Sequence, residues 1–309
     1  DAVHLAAETD AKVATRLAID AIREVNLPRE ALPTELLENP EVWTAMLPRM
    51  PLTAMIRNLG KMSSLGILKP MSDESEIVVK KLADLPAMQK ARVHPMAILL
   101  ALATYRSGHG VRGNLKWTAD ETIVGALDRA FYLSFKAVVP TDKRILLALD
   151  VSGSMTYPLM NSPLSCREGT AALALVTASV EAKYHICGFT GEMVPLTINK
   201  GMSLADAVKA VSRLQFGRTD CAQPMLYALE KGIEADAFVI YTDSETWCGD
   251  IHPVQALQLY KEKMGIDAKL VVNAMVPNPF SIADPTNPNM LDVVGFDANS
   301  PSVVADFCR

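Results

Sequence analysis

Five short, β-rich apolar runs constrain the second half of this chain more than any other feature: Ile145–Asp150, Tyr184–Phe189, Ala237–Thr242, Lys269–Met275 and Leu291–Phe296. Helical stretches near 163–182, 203–214, 221–232, 253–264 and 301–308 separate or follow them. Such alternation predicts a mostly parallel sheet with helices on both faces. Ligands on sheets of this kind gather at the carboxyl ends of the strands. Asp150 ends the first run and Asp243 directly follows the third, so both carboxylates are expected on one rim.

Before about residue 140 the period is helical instead. Leu52, Met55, Ile56, Leu59 and Met62 form one apolar stripe, with Arg57 and Lys61 four apart on a neighbouring face. Pro95 opens the run Met96–Tyr105 at a first helical turn. The glycines of Ser107–Gly113 break the pattern as a loop, and a further helix is expected over 119–138. Helices with short connections and no strand signal predict stacked pairs, as in a solenoid. The chain is therefore expected to be α followed by α/β, with a helical domain over 1–143 and a doubly wound domain over 144–309.

Half of the 309 residues are hydrophobic and 21% are charged, enough for a sizeable core. No apolar run approaches the roughly 18 residues that span a bilayer, so no membrane partner is expected. Five cysteines, an odd number with no CxxC pair, read as reduced thiols of a cytoplasmic protein. The first residue, Asp1, suggests a processed chain or a fragment. Net charge is −5, yet Arg49–Lys116 holds 11 basic and 4 acidic residues, a modest footprint compatible with phosphate contact or with a solvated helical surface.

Asp150-Val-Ser152-Gly-Ser154 places one carboxylate and two hydroxyls within five residues, where a buried strand emerges into a turn. Oxygen-only ligands suit a hard divalent cation such as Mg²⁺. The same residues would also serve as caps for the next helix. Catalysis has little support: the five histidines show no ligand spacing, and neither a Walker A nor a G-x-S-x-G motif occurs. Metal-assisted hydrolysis by Asp243 and Glu245 is the weakest reading, and no enzyme is expected.

Asp150-x-Ser152-x-Ser154, Gly217-Arg-Thr219-Asp220 and Tyr241-Thr-Asp243-Ser244 follow one another at intervals that resemble a von Willebrand factor A-type domain. The resemblance implies a metal-ion-dependent adhesion site (MIDAS) made by Asp150, Ser152, Ser154, Thr219 and Asp243. The hydroxyls would touch the cation, and an open position would accept an oxygen from a partner. Arg218 stands where that family commonly has a small residue.

Pro48–Met62, Arg92–Pro95, Thr104–Trp117, Ala126–Tyr132, Glu245-Thr246, His252-Pro253, Ile282–Pro285 and Gly295–Asp297 resemble the Ro autoantigen (SS-A/Ro) family of TROVE-module proteins. That resemblance implies HEAT-like helical repeats followed by the A-type domain, in a cytoplasmic ribonucleoprotein that handles Y RNA-like small noncoding RNA and misfolded RNA in RNA quality control. It implies no DNA partner, and allows an exoribonuclease or another protein at the metal site. Family members carry more helices before the point where this chain begins, which implies a truncated chain or a separate upstream polypeptide. Candidate RNA contacts are Arg57 and Lys61, with Arg106, His109, Arg112 and Lys116 around the glycine loop. Tyr105 and Trp117 could stack bases, although core packing suits each better. The competing expectation is a protein-interaction module that docks an acidic side chain on the metal, with RNA binding lost or secondary.

Overall fold

The computed structural model describes residues 2–159, 162–214, 217–243, 248–276, 282–297 and 299–309. They divide into two compact units: residues 1–93 with 101–137, and residues 94–100 with 138–309.

In the first unit, α1 (Ala2–Val25) packs on α2 (Pro40–Met46), and α3 (Leu52–Ser64) on α4 (Asp73–Leu82). After a short α5 (Leu85–Lys90) comes α6 (Pro95–Ser107), of which residues 101–107 belong to this unit, and α7 (Glu121–Leu133) returns to pack on α4. The stripe of α3 is buried as its spacing requires: Leu52, Met55, Ile56, Leu59 and Met62 all lie in the core. α4 shows why these short segments stay helical. Ser72 caps its first turn by accepting from the Ser75 amide (3.1 Å), Asp73, Glu74 and Glu76 follow, and Lys80 and Lys81 close its end. Negative charge at the amino end and positive charge at the carboxyl end both oppose the helix dipole. The expected helix over 119–138 is α7 followed by a 3₁₀ turn at Ser134–Ala137.

The second unit is built on a six-stranded sheet. Its strands are β1 (Ile145–Asp150), β2 (Tyr184–Phe189), β3 (Met193–Pro195), β4 (Ala237–Thr242), β5 (Lys269–Ala274) and β6 (Met290–Val294), in the order β3-β2-β1-β4-β5-β6. All pairings are parallel except β2 with β3. Every residue of β1 and of β4 is buried, because helices cover both faces; this is why both read as unbroken apolar runs. The helices are α8 (Cys166–Val180), α9 (Leu204–Ser212), α10 (Gln223–Lys231), α11 (Pro253–Met264) and α12 (Ser300–Cys308). Leu146, Ala148, Phe238, Ile240, Leu270 and Val272 form one core cluster with Met225 and Ala228 of α10 and with Leu257 and Tyr260 of α11.

The arrangement agrees with the sequence-based fold: helices first, then a mostly parallel sheet between helices. The addition is β3, a three-residue antiparallel edge too short to show a period. β1 lies between β2 and β4, so the chain leaves it in opposite directions along the sheet. Such a switch point opens a crevice at the carboxyl ends of the central strands.

Candidate metal centre and nucleic-acid surface

Asp150, the last residue of β1, is fully buried at that crevice. Its Oδ1 accepts from the Ser152 amide (2.7 Å), which folds the chain back in a tight turn after the strand. Its Oδ2 accepts from the Thr242 hydroxyl at the end of β4 (2.7 Å) and more weakly from that of Thr219 (3.4 Å). Residues 69 and 92 positions away in sequence therefore meet on one carboxylate. Ser152 Oγ lies 3.0 Å from Ser154 Oγ. Burial raises the Asp150 pKa, the Thr242 and Ser152 hydrogen bonds oppose that shift, and the nearby Asp243 charge adds to it. Asp243, half-buried just beyond β4, is thus close enough for its charge to be felt at Asp150.

The fold brings Asp150, Ser152, Ser154 and Thr219 together, with Asp243 nearby. Glu245, like Ser244 and Thr246, lies outside the described residues. Sequence reasoning missed two contributors. Thr242 donates the shortest side-chain hydrogen bond to Asp150, yet as a β-branched residue on a strand it looks like a simple sheet former. Arg167, in the first turn of α8, is buried beneath the turn and donates to the Ser152 carbonyl (3.3 Å). Burial lowers its pKa and the Asp150 charge raises it. A guanidinium there offsets part of the negative charge of Asp150. The capping box of Ser165 and Glu168 fixes the helix start that carries Arg167.

The donor set fits a small hard cation. Octahedral Mg²⁺ at about 2.1 Å from each oxygen separates adjacent ligand atoms by roughly 3.0 Å. The two serine hydroxyls stand at that separation, where they also hydrogen-bond to each other. Among the described residues no group of three or more His, Cys, Asp or Glu could hold a metal, so a soft, nitrogen- or sulfur-rich site has no counterpart there. Nearby, Asp220 is buried and ties the start of α10, accepting from the Ala222 amide (3.0 Å) and the Gln223 amide group (2.8 Å). Arg218 is exposed. Burial pushes the thiols of Cys166 to about 11 and of Cys187 and Cys308 to about 12, which leaves them protonated and poorly nucleophilic.

The candidate RNA residues all lie in the helical unit. Arg57, Arg106, His109, Arg112 and Lys116 are exposed, whereas Lys61 is half-buried and paired with Glu38 (2.6 Å). The glycine loop is a closed hairpin: His109 and Lys116 form an antiparallel bridge, and the Gly110 amide donates to the Leu115 carbonyl (2.8 Å). Tyr105 is buried and Trp117 half-buried, their rings stacked 6.3 Å apart. Both rings therefore serve packing in this structure. No helix among the described residues is long and apolar enough to cross a membrane.

A switch-point carboxylate surrounded by hydroxyls, on a sheet of this order, defines a von Willebrand factor A-type domain. The family model described as the Ro60 vWA domain matches residues 144–308, and that of the TROVE domain matches residues 24–107. The chain belongs to the Ro60 family. RNA-binding protein RO60 of Caenorhabditis elegans is 42% identical over 293 residues, covering 94% of this chain and 45% of the relative. RNA-binding protein RO60 of Deinococcus radiodurans is 40% identical over 306 residues, covering 98% of this chain and 56% of the relative. The crystal structure of the Deinococcus radiodurans RO (RSR) protein superposes with a TM-score of 0.89 at 40% identity, covering 96% of this chain and 60% of that one. The chain spans about half the length of the curated relatives it matches.

Proposed function

We propose that this chain is an RNA-binding protein that divides its work between its units. The helical unit, read as HEAT-like, contacts phosphates of small noncoding RNA of the Y RNA kind and of misfolded RNA, in a cytoplasmic quality-control role. The A-type domain holds a divalent cation, Mg²⁺ by its ligand chemistry, through Ser152, Ser154 and Thr219, with Asp150 and Asp243 balancing charge. When bound, the cation would present an open position to an acidic side chain of a protein partner such as an exoribonuclease. No catalytic step is assigned to it.

For RNA, the supporting observation is the name shared by two relatives at 40% identity or better, together with the exposed basic residues of the helical unit. For the cation, it is the 3.0 Å separation of the serine hydroxyls beside a buried carboxylate. The division also follows charge. Residues 144–309 carry 12 basic against 18 acidic side chains, which disfavours a polyanion and favours a bridging cation.

Titration calorimetry with Mg²⁺, and RNA gel shifts across a salt series, test the two halves separately. Ser152→Ala with Ser154→Ala should abolish Mg²⁺ uptake and leave RNA affinity within about twofold. Unchanged Mg²⁺ affinity would remove the metal assignment. RNA binding insensitive to salt, or absent, would remove the RNA assignment, since phosphate contacts release counterions.

A further inference from the structure

We propose that Arg106–Trp117 forms a preshaped RNA-gripping hairpin, locked onto the helical unit by insertion of Trp117 over Gly60. It would hold the phosphodiester backbone through Arg106, Arg112 and Lys116. This rests on the RNA reading above and gives it a place and a device.

The hairpin is tied at both feet. The Trp117 amide donates to the Gly108 carbonyl (2.9 Å) and its indole donates to the Tyr105 carbonyl (2.8 Å). The Tyr105 hydroxyl in turn bonds Ser63 of α3 (2.8 Å) and receives the amide of Asp120, the cap of α7 (3.1 Å). Three helices thus converge on the Tyr105–Trp117 stack. Gly60 of α3 makes the insertion possible: a Cβ at that position would sit 2.8 Å from two ring carbons of Trp117. Gly108, at φ +73°, supplies the bend at one foot, where any Cβ would meet the Trp117 carbonyl oxygen at 3.0 Å.

The hairpin's own sequence is basic. From Arg106 to Trp117 there is no Asp or Glu, and Arg106, His109, Arg112 and Lys116 are all exposed. Val111 and Leu115 near the tip are 41% and 37% exposed, apolar surface suited to the faces of unstacked bases. Arg57 lies one turn before Gly60 on α3, so its position borders the hairpin foot. A rigid loop loses little conformational entropy when it engages a ligand, which favours a gripping element over a mobile basic tail. An acidic protein segment rarely matches the charge density of a nucleic acid backbone, so RNA is the occupant the charges favour.

The test measures fluorescence anisotropy of a labelled single-stranded oligouridylate with the whole chain across a salt series. Three charge-neutralising changes together, Arg106→Gln, Arg112→Gln and Lys116→Gln, should flatten the log–log salt slope by about 2, at ~0.7 per lost contact. Between about 50 and 200 mM salt the wild type then loses ~20-fold more affinity than the triple variant. Gly60→Ala keeps every charge and should also flatten the slope, because the hairpin foot is displaced. A triple variant with the wild-type slope overturns the assignment while leaving the RNA reading intact. A folded Gly60→Ala variant with the wild-type slope overturns the lock. A wild-type chain that binds no oligouridylate at low salt overturns the RNA reading and this hairpin with it.

Discussion

Thr242→Val is the sharpest probe of the candidate centre. The two side chains have nearly the same shape, so the change removes little except the hydroxyl that donates 2.7 Å to Asp150 Oδ2. That hydroxyl and its acceptor are both fully buried, so no water takes its place. A hydrogen bond to a charged group contributes about 1.5–3 kcal/mol, and the abandoned carboxylate oxygen is left short of a strong donor. The expected loss is about 2 kcal/mol, or ~4–8 °C in Tm for a domain of this size. Urea unfolding followed by circular dichroism in EDTA-treated buffer measures it, with Asp150→Asn as partner in a double-mutant cycle. In the Asp150→Asn background the same change should cost roughly 1 kcal/mol, since the acceptor is neutral. A variant within about 0.5 kcal/mol of wild type, or a cycle with no coupling, would show that the carboxylate does not depend on this donor.

Gly249 sits at φ +107°, and a Cβ there would lie 2.5 Å from the buried Asp220 carboxylate. Gly249→Ala should therefore cost about 2–3 kcal/mol in thermal or urea unfolding, and a neutral result would contradict the packing. His94 accepts from the Met96 amide at Nδ1 (3.2 Å), and burial lowers its pKa from 6.5 to about 4. Between those values the unfolded chain binds a proton that the folded one refuses. Stability should thus be full above pH 6.5 and fall as pH drops toward 4, by at most ~3 kcal/mol and less for a partly exposed ring. His94→Gln should flatten that dependence in urea titrations at several pH values; an unchanged slope would remove His94 as its source.

The strands legible in the sequence are those whose burial is complete or nearly so. β1 and β4 begin and end at the expected residues because helices on both faces demand unbroken apolar runs that stop where the burial ends, and β2 matches its expected bounds although its first two residues are only half-buried. β3 is not legible because Met-Val-Pro carries no period and pairs only along an edge. At the centre, Asp150, Ser152 and Ser154 are visible as a local pattern, whereas Thr242 and Arg167 act through contacts that exist only after the sheet forms. The glycine loop is legible as a break after α6, but its closure depends on a ring from position 117 finding the bare backbone of position 60. Lys61 is legible as a surface cation, while its partner Glu38 comes from a 3₁₀ segment, Thr34–Glu38, that periodicity does not reveal.

The distance along the chain between Asp150 and Thr242 orders events during synthesis. A ribosome adding ~5–20 residues per second needs ~5–18 s to emit the 92 positions that separate them. Throughout that interval the nascent carboxylate lacks the donor that later shelters it, and the neighbouring flank of its strand stands bare until Ala237–Thr242 arrives. The rim on which Asp150 sits is thus completed only after residue 242 has emerged.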